Sequence, residues 1–369
     1  MELTAVASLG AWIYLFTARG NFWQISAPPN PGGWASPKSV CVIIPARDEE
    51  AVIGPALASL LHQSYSGRLD IIVVDDHSSD GTAALANRDG VTVVQAGPLP
   101  AGWSGKLWAI SEGLKHAAAL APDYLLFTDA DIVHGPNNIA ELVARAETGN
   151  LDLVSLMVKL RCRSLAETLL IPAFVFFFFM LYPPAWIARS NRKTAAAAGG
   201  CILIRPSALH RIGGIASIHD AIIDDCALAR AVKRSGGGIW LGLTNDTASI
   251  RDYTTFAEIR AMISRTAFAQ LKHSAPLLAL ALSGMAVIYL APPLLLFTKN
   301  PVGAVCGLAA CLLMMISYAP ALKFYGRSAA WAPLMPLIAL FYMSSTVDSA
   351  RAYWSGRGGV WKDRIQDTN

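Results

Sequence analysis

The sequence predicts an α/β protein: an open, mostly parallel sheet covered by helices, with apolar helices at both ends of the chain. Three observations predict it. Between residues 40 and 130, short runs that are apolar throughout alternate with helical-looking segments, the pattern of strands buried on both faces of a parallel sheet. Acidic clusters follow the ends of those runs, where open α/β sheets bind ligands. Hydrophobic residues make up 54% of the 369 residues and charged residues 15%, and mean hydropathy is +0.41, so part of the chain is solvated by lipid.

The elements follow in order. Leu3 to Thr17 is apolar and is followed by Arg19; a secretory signal carries its charge before the apolar run, so residues 1–20 are expected to be an N-terminal membrane anchor with Arg19 cytoplasmic. Residues 21–38 contain SAPPNPGGWASP (Ser26 to Pro37) and read as a linker. A domain spanning 39–275 should follow. Its strands are predicted at Val40 to Ile44, Leu69 to Val74, Val91 to Val94 and Tyr124 to Phe127, with helices at Ala51 to Gln63 and Leu107 to Leu120.

Polar clusters close three of these strands: Arg47 to Glu50, Asp75 with Asp76, and Asp129 with Asp131. The last pair lies in LLFTDADIVHG (Leu125 to Gly135). Alternation along an extended chain puts i and i+2 on one side, so both carboxylates can face one hard cation whose other ligands are phosphate and water. Neither G-x-G-x-x-G nor a P-loop follows the first strand, so phosphate must be handled by a metal and basic side chains, not by a glycine cradle. Asp224 and Asp225 open a helix predicted at Cys226 to Arg234, where acids also meet a favourable helix dipole. His77, His134 and His219 lack zinc-site spacing and read as polar-loop residues, and the six scattered cysteines read as reduced thiols. Net charge is +4 and no Lys/Arg cluster with interleaved aromatics occurs, which argues against a nucleic-acid partner and fits an anionic membrane face.

The segments VIIPARDEE (Val42 to Glu50), IIVVDDHSSDGT (Ile71 to Thr82), GWSGKLWAISEGL (Gly102 to Leu114), TDADI (Thr128 to Ile132), GGCILIRPSALHRIGG (Gly199 to Gly214) and IDDCALARAVKRSG (Ile223 to Gly236) together resemble the inverting family 2 glycosyltransferases. That family has the GT-A fold, a Rossmann-like catalytic domain, here flanked by N-terminal and C-terminal transmembrane helices. GWSGKLWA, FFFFMLYPP, RTAFAQL and GRGGVWKDR further resemble the hopene-associated members. The resemblance implies that Asp75 and Asp76 bind the base of a nucleotide, uracil foremost, and that Pro45, Ala46 and Glu49 line the nucleoside pocket. It implies Lys106 near the diphosphate, Mg²⁺ or Mn²⁺ held by Asp129 and Asp131, and Asp225 as catalytic base. Asp224 stands where the family more often has Glu. The Q-x-x-R-W of processive members is incomplete: Arg265 is present, while Met262 and Thr266 replace other positions, which disfavours polymer synthesis.

Leu165 to Ile187 is long enough to span a bilayer. It lies between Asp131 and Asp225, so a single crossing would separate one active site into two compartments. Residues 165–187 are therefore expected to lie in the membrane interface, with a buried core helix as the competing reading. Residues 276–348 hold three further apolar blocks. The last of them, Trp331 to Val347, contains Pro333, Pro336, Ser344, Ser345 and Thr346, with Asp348 directly after it, and is expected to be re-entrant or interfacial, with a full span as the alternative; residues 349–369 then form a basic cytoplasmic tail. The function expected is transfer of one sugar from a nucleotide-sugar donor, a UDP-sugar, to a lipid acceptor such as a hopanoid, at the cytoplasmic side of a bacterial-type inner membrane. Transfer to polyprenyl phosphate, a polysaccharide synthase and an inactive membrane scaffold are the alternatives.

Overall fold

In the computed structural model, residues 2–29, 37–358, 360–361 and 364–365 are described; residues 30–36 of the expected linker, and residues 359, 362–363 and 366–369 of the expected tail, lie outside them. The chain divides into two compact units. One comprises Ala27–Arg161, Trp186–Asp252 and Gly359–Asn369, the other Met1–Ser26, Cys162–Ala185 and Tyr253–Gly358.

The first of these units is built on a sheet that has, among the described residues, eight strands: β1 (Val40–Ala46), β2 (Leu69–Asp75), β3 (Val91–Gln95), β4 (Tyr124–Thr128), β5 (Ile132–Val133), β6 (Leu153–Lys159), β7 (Cys201–Ile204) and β8 (Ile239–Ser249). Their order is β3-β2-β1-β4-β7-β6-β8-β5. The four predicted strands pair in parallel. Beyond them β7 runs antiparallel to both β4 and β6, and β5 antiparallel to β8, while β6 and β8 are parallel. The sheet is therefore mixed. On one face Val42, Ile44 and Val73 pack with Ile53 and Leu57 of the helix Glu50–Leu61 and with Leu142 of the helix Asn138–Thr148. On the other, the helix Gly105–Leu120 lies so close that a Cβ at Gly113 would come within 2.6 Å of Ile43 Cγ2. That helix starts at Ser104, whose Oγ accepts a hydrogen bond from Leu107 N at 3.4 Å, an N-cap that fixes the start of the turn carrying Lys106.

The second unit is helical. Among the described residues four segments are long and apolar enough to cross a membrane: Leu165–Ile187, Ala275–Leu295, Pro301–Phe324 and Ala329–Trp354. The N-terminal helix Glu2–Thr17 is shorter, 16 residues. Arg19 donates from Nε and Nη2 to Met180 O and Leu181 O, 3.0 and 3.2 Å, at the C-terminus of the helix Leu165–Leu181, where an arginine satisfies orphan carbonyls. Trp12 donates its indole N–H to Ile288 O at 2.7 Å. Residues 286–290 form a π-turn, and the N–H groups that would serve Ile288 O in an α-helix or a π-turn belong to positions 292 and 293, both proline. The indole replaces the missing donor.

The block expected to be broken by prolines is continuous. Pro333 lies in a 3₁₀ turn, Ala329–Leu334, and Pro336 in the first turn of the helix Met335–Trp354, where a missing N–H costs nothing. Its polar residues are satisfied within the unit. Ser344, Ser345 and Thr346 donate to Phe341 O, Phe341 O and Tyr342 O, each at 2.8 Å, and Asp348 pairs with Arg260 at 2.6 Å. By length and composition this helix can span, which is the alternative to the re-entrant expectation.

Candidate active site

Because β2, β1 and β4 are neighbours and parallel, the acidic stretches that follow them share one rim of the sheet. Asp76 N donates to Ala46 O at 2.8 Å, locking the ends of β1 and β2 together. Asp75 and Asp76 are buried, as is Ala46. Oδ2 of Asp75 accepts from Ser78 N at 3.3 Å, and its Oδ1 is buried with no hydrogen-bond partner among the described residues. An unmatched buried acceptor is costly, and a ligand N–H would satisfy it. Pro45, at the end of β1, lines the same cleft as Lys106, Asp129, Asp224 and Asp225.

The centre of that cleft is an ionic cluster. Lys106 Nζ lies 2.8 Å from Asp129 Oδ1 and 3.4 Å from Asp224 Oδ2. Burial by itself would lower the lysine's pKa; the carboxylates of Asp129 and Asp224, with a smaller push from Asp225, overcome it and raise the pKa instead, so the ammonium stays charged. Asp129 is raised above the usual carboxylate range, first by burial, against the attraction of Lys106 and with added repulsion from Asp131.

Asp225, in the first turn of the helix Asp224–Arg234, accepts from Gly199 N at 2.8 Å and from Cys226 N at 2.6 Å. Burial and then its neighbour Asp224 push its pKa up to about 6, against the pull of Lys106 and of these N–H groups. That suits a base working near neutrality. The space above Gly199 is tight: a Cβ there would stand 3.1 Å from Lys106 Nζ and 3.5 Å from Asp225 Oδ2.

A second ionic group was not legible in the sequence. Arg251 forks onto Glu49, with Nη2 at 2.8 and 2.6 Å from its two oxygens, and places Nε 3.5 Å from Asp131 Oδ2. The same Asp131 oxygen accepts from Ser249 Oγ at 2.5 Å. Glu49, expected in the nucleoside pocket, is thus also tied to the metal-type carboxylates through Arg251. The only signal that could have flagged Arg251 is its place just beyond β8, whose parallel pairing with β6 brings its end to the same rim. Arg265 belongs to the helical unit, where it follows the helix Phe256–Ser264. His134, expected in a polar loop, is instead buried at 4% exposure, with a hydrogen bond on each ring nitrogen.

No group of three or more His, Cys, Asp or Glu side chains able to hold a metal comes together among the described residues. The donor set nevertheless fits a hard divalent cation. Asp129 and Asp131 each commit one oxygen to the contacts above and keep a second, and magnesium-type ions at phosphate sites take one or two carboxylates and complete their shell with substrate phosphate and water.

Residues 41–213 match the model of the family described as Glycosyl transferase family 2. Over 96 residues the chain is 41% identical to the 4,4'-diaponeurosporenoate glycosyltransferase of Staphylococcus aureus (strain bovine RF122 / ET3-1), and 40% to that of strain MRSA252. These matches cover 26% of this chain and 24% of the relatives, so the chain spans about a quarter of their length. A mannosyltransferase, PcManGT from Pyrobaculum calidifontis, solved with GDP-Man and Mn²⁺, aligns over 98% of this chain and 99% of its own with a TM-score of 0.58 at 20% identity, a likeness of fold. The mixed sheet with acids at its rim accordingly has the GT-A fold, and within it residues 41–213 match the family 2 glycosyl transferases.

Proposed function

We propose that the protein is a membrane-bound, metal-dependent, inverting glycosyltransferase that moves one sugar from a nucleotide-sugar, a UDP-sugar by resemblance, to the hydroxyl of a lipid such as a hopanoid. The observation that carries the reading is the cluster of Lys106, Asp129, Asp224 and Asp225 in one cleft, with Asp225 held near neutrality. Asp75, with Asp76 beside it, takes the base N–H; Pro45, Ala46 and Glu49 line the nucleoside. Lys106 pairs with the diphosphate. Asp129 and Asp131 would hold Mg²⁺ or Mn²⁺, which as a Lewis acid supplies charge stabilisation to the leaving diphosphate. Asp225 takes the proton of the acceptor hydroxyl as its oxygen attacks the anomeric carbon, a contribution of about 10²- to 10⁴-fold. One displacement with one base inverts that carbon. Asp224 keeps Asp225 basic.

The lipid acceptor is supported by the apolar helices and by the relative's name, whose acceptor is a long-chain acid. That name also favours a second reading. An acid, or a polyprenyl phosphate, is already anionic and needs no base. The position is a bacterial-type inner membrane, with the catalytic domain on the cytoplasmic side.

The test is binding and turnover of a panel of UDP- and GDP-sugars with Mn²⁺ by the detergent-purified protein, the fold neighbour's GDP-Man included. Transfer to a hydroxyl lipid that Asp225→Asn abolishes supports the first reading; transfer only to an anionic lipid, tolerant of Asp225→Asn, supports the second.

A further inference from the structure

We propose that His134 is a positioning residue: through the hydroxyl of Thr128 it fixes the Gly199–Gly200 turn that holds Asp225. The inference rests on Asp225 acting as the base.

Thr128 ends β4, one residue before Asp129. Its Oγ1 donates to Gly200 O at 2.8 Å and lies 3.0 Å from His134 Nε2. A hydroxyl has one proton and a carbonyl can only accept, so the Thr128 proton goes to Gly200 and the imidazole must be the donor at Nε2. Asn138 Nδ2, 2.8 Å from His134 Nδ1, then donates to the unprotonated nitrogen. The tautomer is assigned by this bonding, and every member has the partner it needs. Thr128 and Asn138 are buried like His134, and burial lowers the histidine's pKa to about 4, so the ring stays neutral and keeps its direction of donation. His134 N donates to Ser59 Oγ at 2.9 Å, which holds the backbone under the ring.

The other end of the chain of bonds is the base. The turn Ala198–Cys201 closes through Cys201 N to Ala198 O at 3.2 Å. It is gripped from β4 by Thr128 at Gly200 O, and from β6 by Ser155, which accepts from Ala198 N at 2.9 Å and donates to Cys201 O at 3.1 Å. Between these grips Gly199 directs its N–H to Asp225 Oδ2. A bond to the charged form of a carboxylate lowers its pKa, so a loosened turn should both misplace Asp225 and make it less acidic. The residue that ends the strand before the metal-type carboxylates thereby also sets the base opposite them.

The experiment pairs Thr128→Val, which keeps shape and removes the hydroxyl, with Thr128→Ser, which restores it. Sugar transfer is followed from pH 5 to 8, with thermal unfolding as the folding control. Thr128→Val should lose about tenfold in kcat, the scale of one buried hydrogen bond, with the acid limb of the profile moved up by about one pH unit and donor KM held. Thr128→Ser should stay within about threefold of the parent, with its limb in place. Equal losses in both, or an unmoved limb in Thr128→Val, would overturn the proposal. Should Thr128→Val fail to fold, His134→Gln, which can still donate to Thr128, is compared with His134→Asn, which can serve only Asn138; Gln must be the more active, and the reverse overturns the proposal. A readout independent of turnover is the ¹⁵N spectrum of histidine-labelled protein. His134 should show the neutral Nε2–H tautomer with no titration above about pH 5, and titration near the ordinary value would overturn the inference. If the parent transfers sugar to no acceptor, the functional reading fails, while the spectrum still decides the tautomer on which the relay depends.

Discussion

Removing the charge of Asp224 while leaving Asp225 in place should move the pH dependence of transfer. With Asp225 near 6, about nine-tenths of it is ionised at pH 7 and about one-tenth at pH 5, so kcat/KM should fall about tenfold between them. Asp224 is the largest contributor after burial to that raised value. Asp224→Asn should bring Asp225 down by about one unit, leaving only about a twofold fall over the same interval, while Lys106 keeps its 2.8 Å partner Asp129. Asp225→Asn should cost about 10²- to 10⁴-fold throughout. Stability should move the other way. A carboxyl raised on folding contributes stability that is complete below its unfolded value, near 4, and is lost as pH rises through about 6. Asp225→Asn should therefore be more heat-stable than the parent at pH 8, by at most about 3 kcal/mol, and gain little at pH 4. The assay is initial-rate transfer in detergent over pH 5 to 8, with melting curves at the two extremes. An Asp224→Asn profile superimposable on the parent's, or an Asp225→Asn enzyme within tenfold of it, would refute the reasoning.

Arg251→Met removes the 2.8 and 2.6 Å contacts to the buried Glu49 and should destabilise by roughly 1–3 kcal/mol; Arg251→Met with Glu49→Gln should recover most of that in a double-mutant cycle by denaturation. Gly199→Ala places a Cβ 3.1 Å from Lys106 Nζ, so transfer should drop about tenfold or more with the melting temperature nearly kept, because the group that must yield is the end of a flexible side chain. Trp12→Phe strands Ile288 O beside its two prolines and should cost roughly 1–3 kcal/mol, read as a lower melting temperature in detergent. Chelation with EDTA should abolish transfer, and added Mn²⁺ or Mg²⁺ should restore it.

Much of the catalytic unit is legible locally. β1, β2, β3 and β4 are short, largely apolar runs, acids follow the first, second and fourth, and their parallel pairing follows from the helices between them. The second half of the sheet is less so. β7 is four residues long and β5 two, too short for a periodic signal, and their antiparallel pairings depend on partners far along the chain. The same holds for the site. Asp75 and Asp129 stand in acidic stretches after predicted strands and Asp225 is singled out by the family resemblance, whereas Arg251 becomes visible only when β8 brings it to Glu49 and Asp131. His134 looks like any histidine in a polar stretch until the packing of β4, the helix Asn138–Thr148 and the glycine turn buries it. In the helical unit the prolines misled: position decides their effect, and Pro336 starts a helix it was expected to break.

The most direct test of the central reading is transfer of radiolabelled sugar from UDP- and GDP-donors to hydroxyl and anionic lipids by the protein in nanodiscs with Mn²⁺, with Asp225→Asn and Asp129→Ala alongside. The prediction is lipid-dependent release of nucleoside diphosphate from one donor, with label in the lipid phase and loss of both in the two variants. Nucleotide binding without label in any lipid, or full transfer by Asp129→Ala, would contradict it.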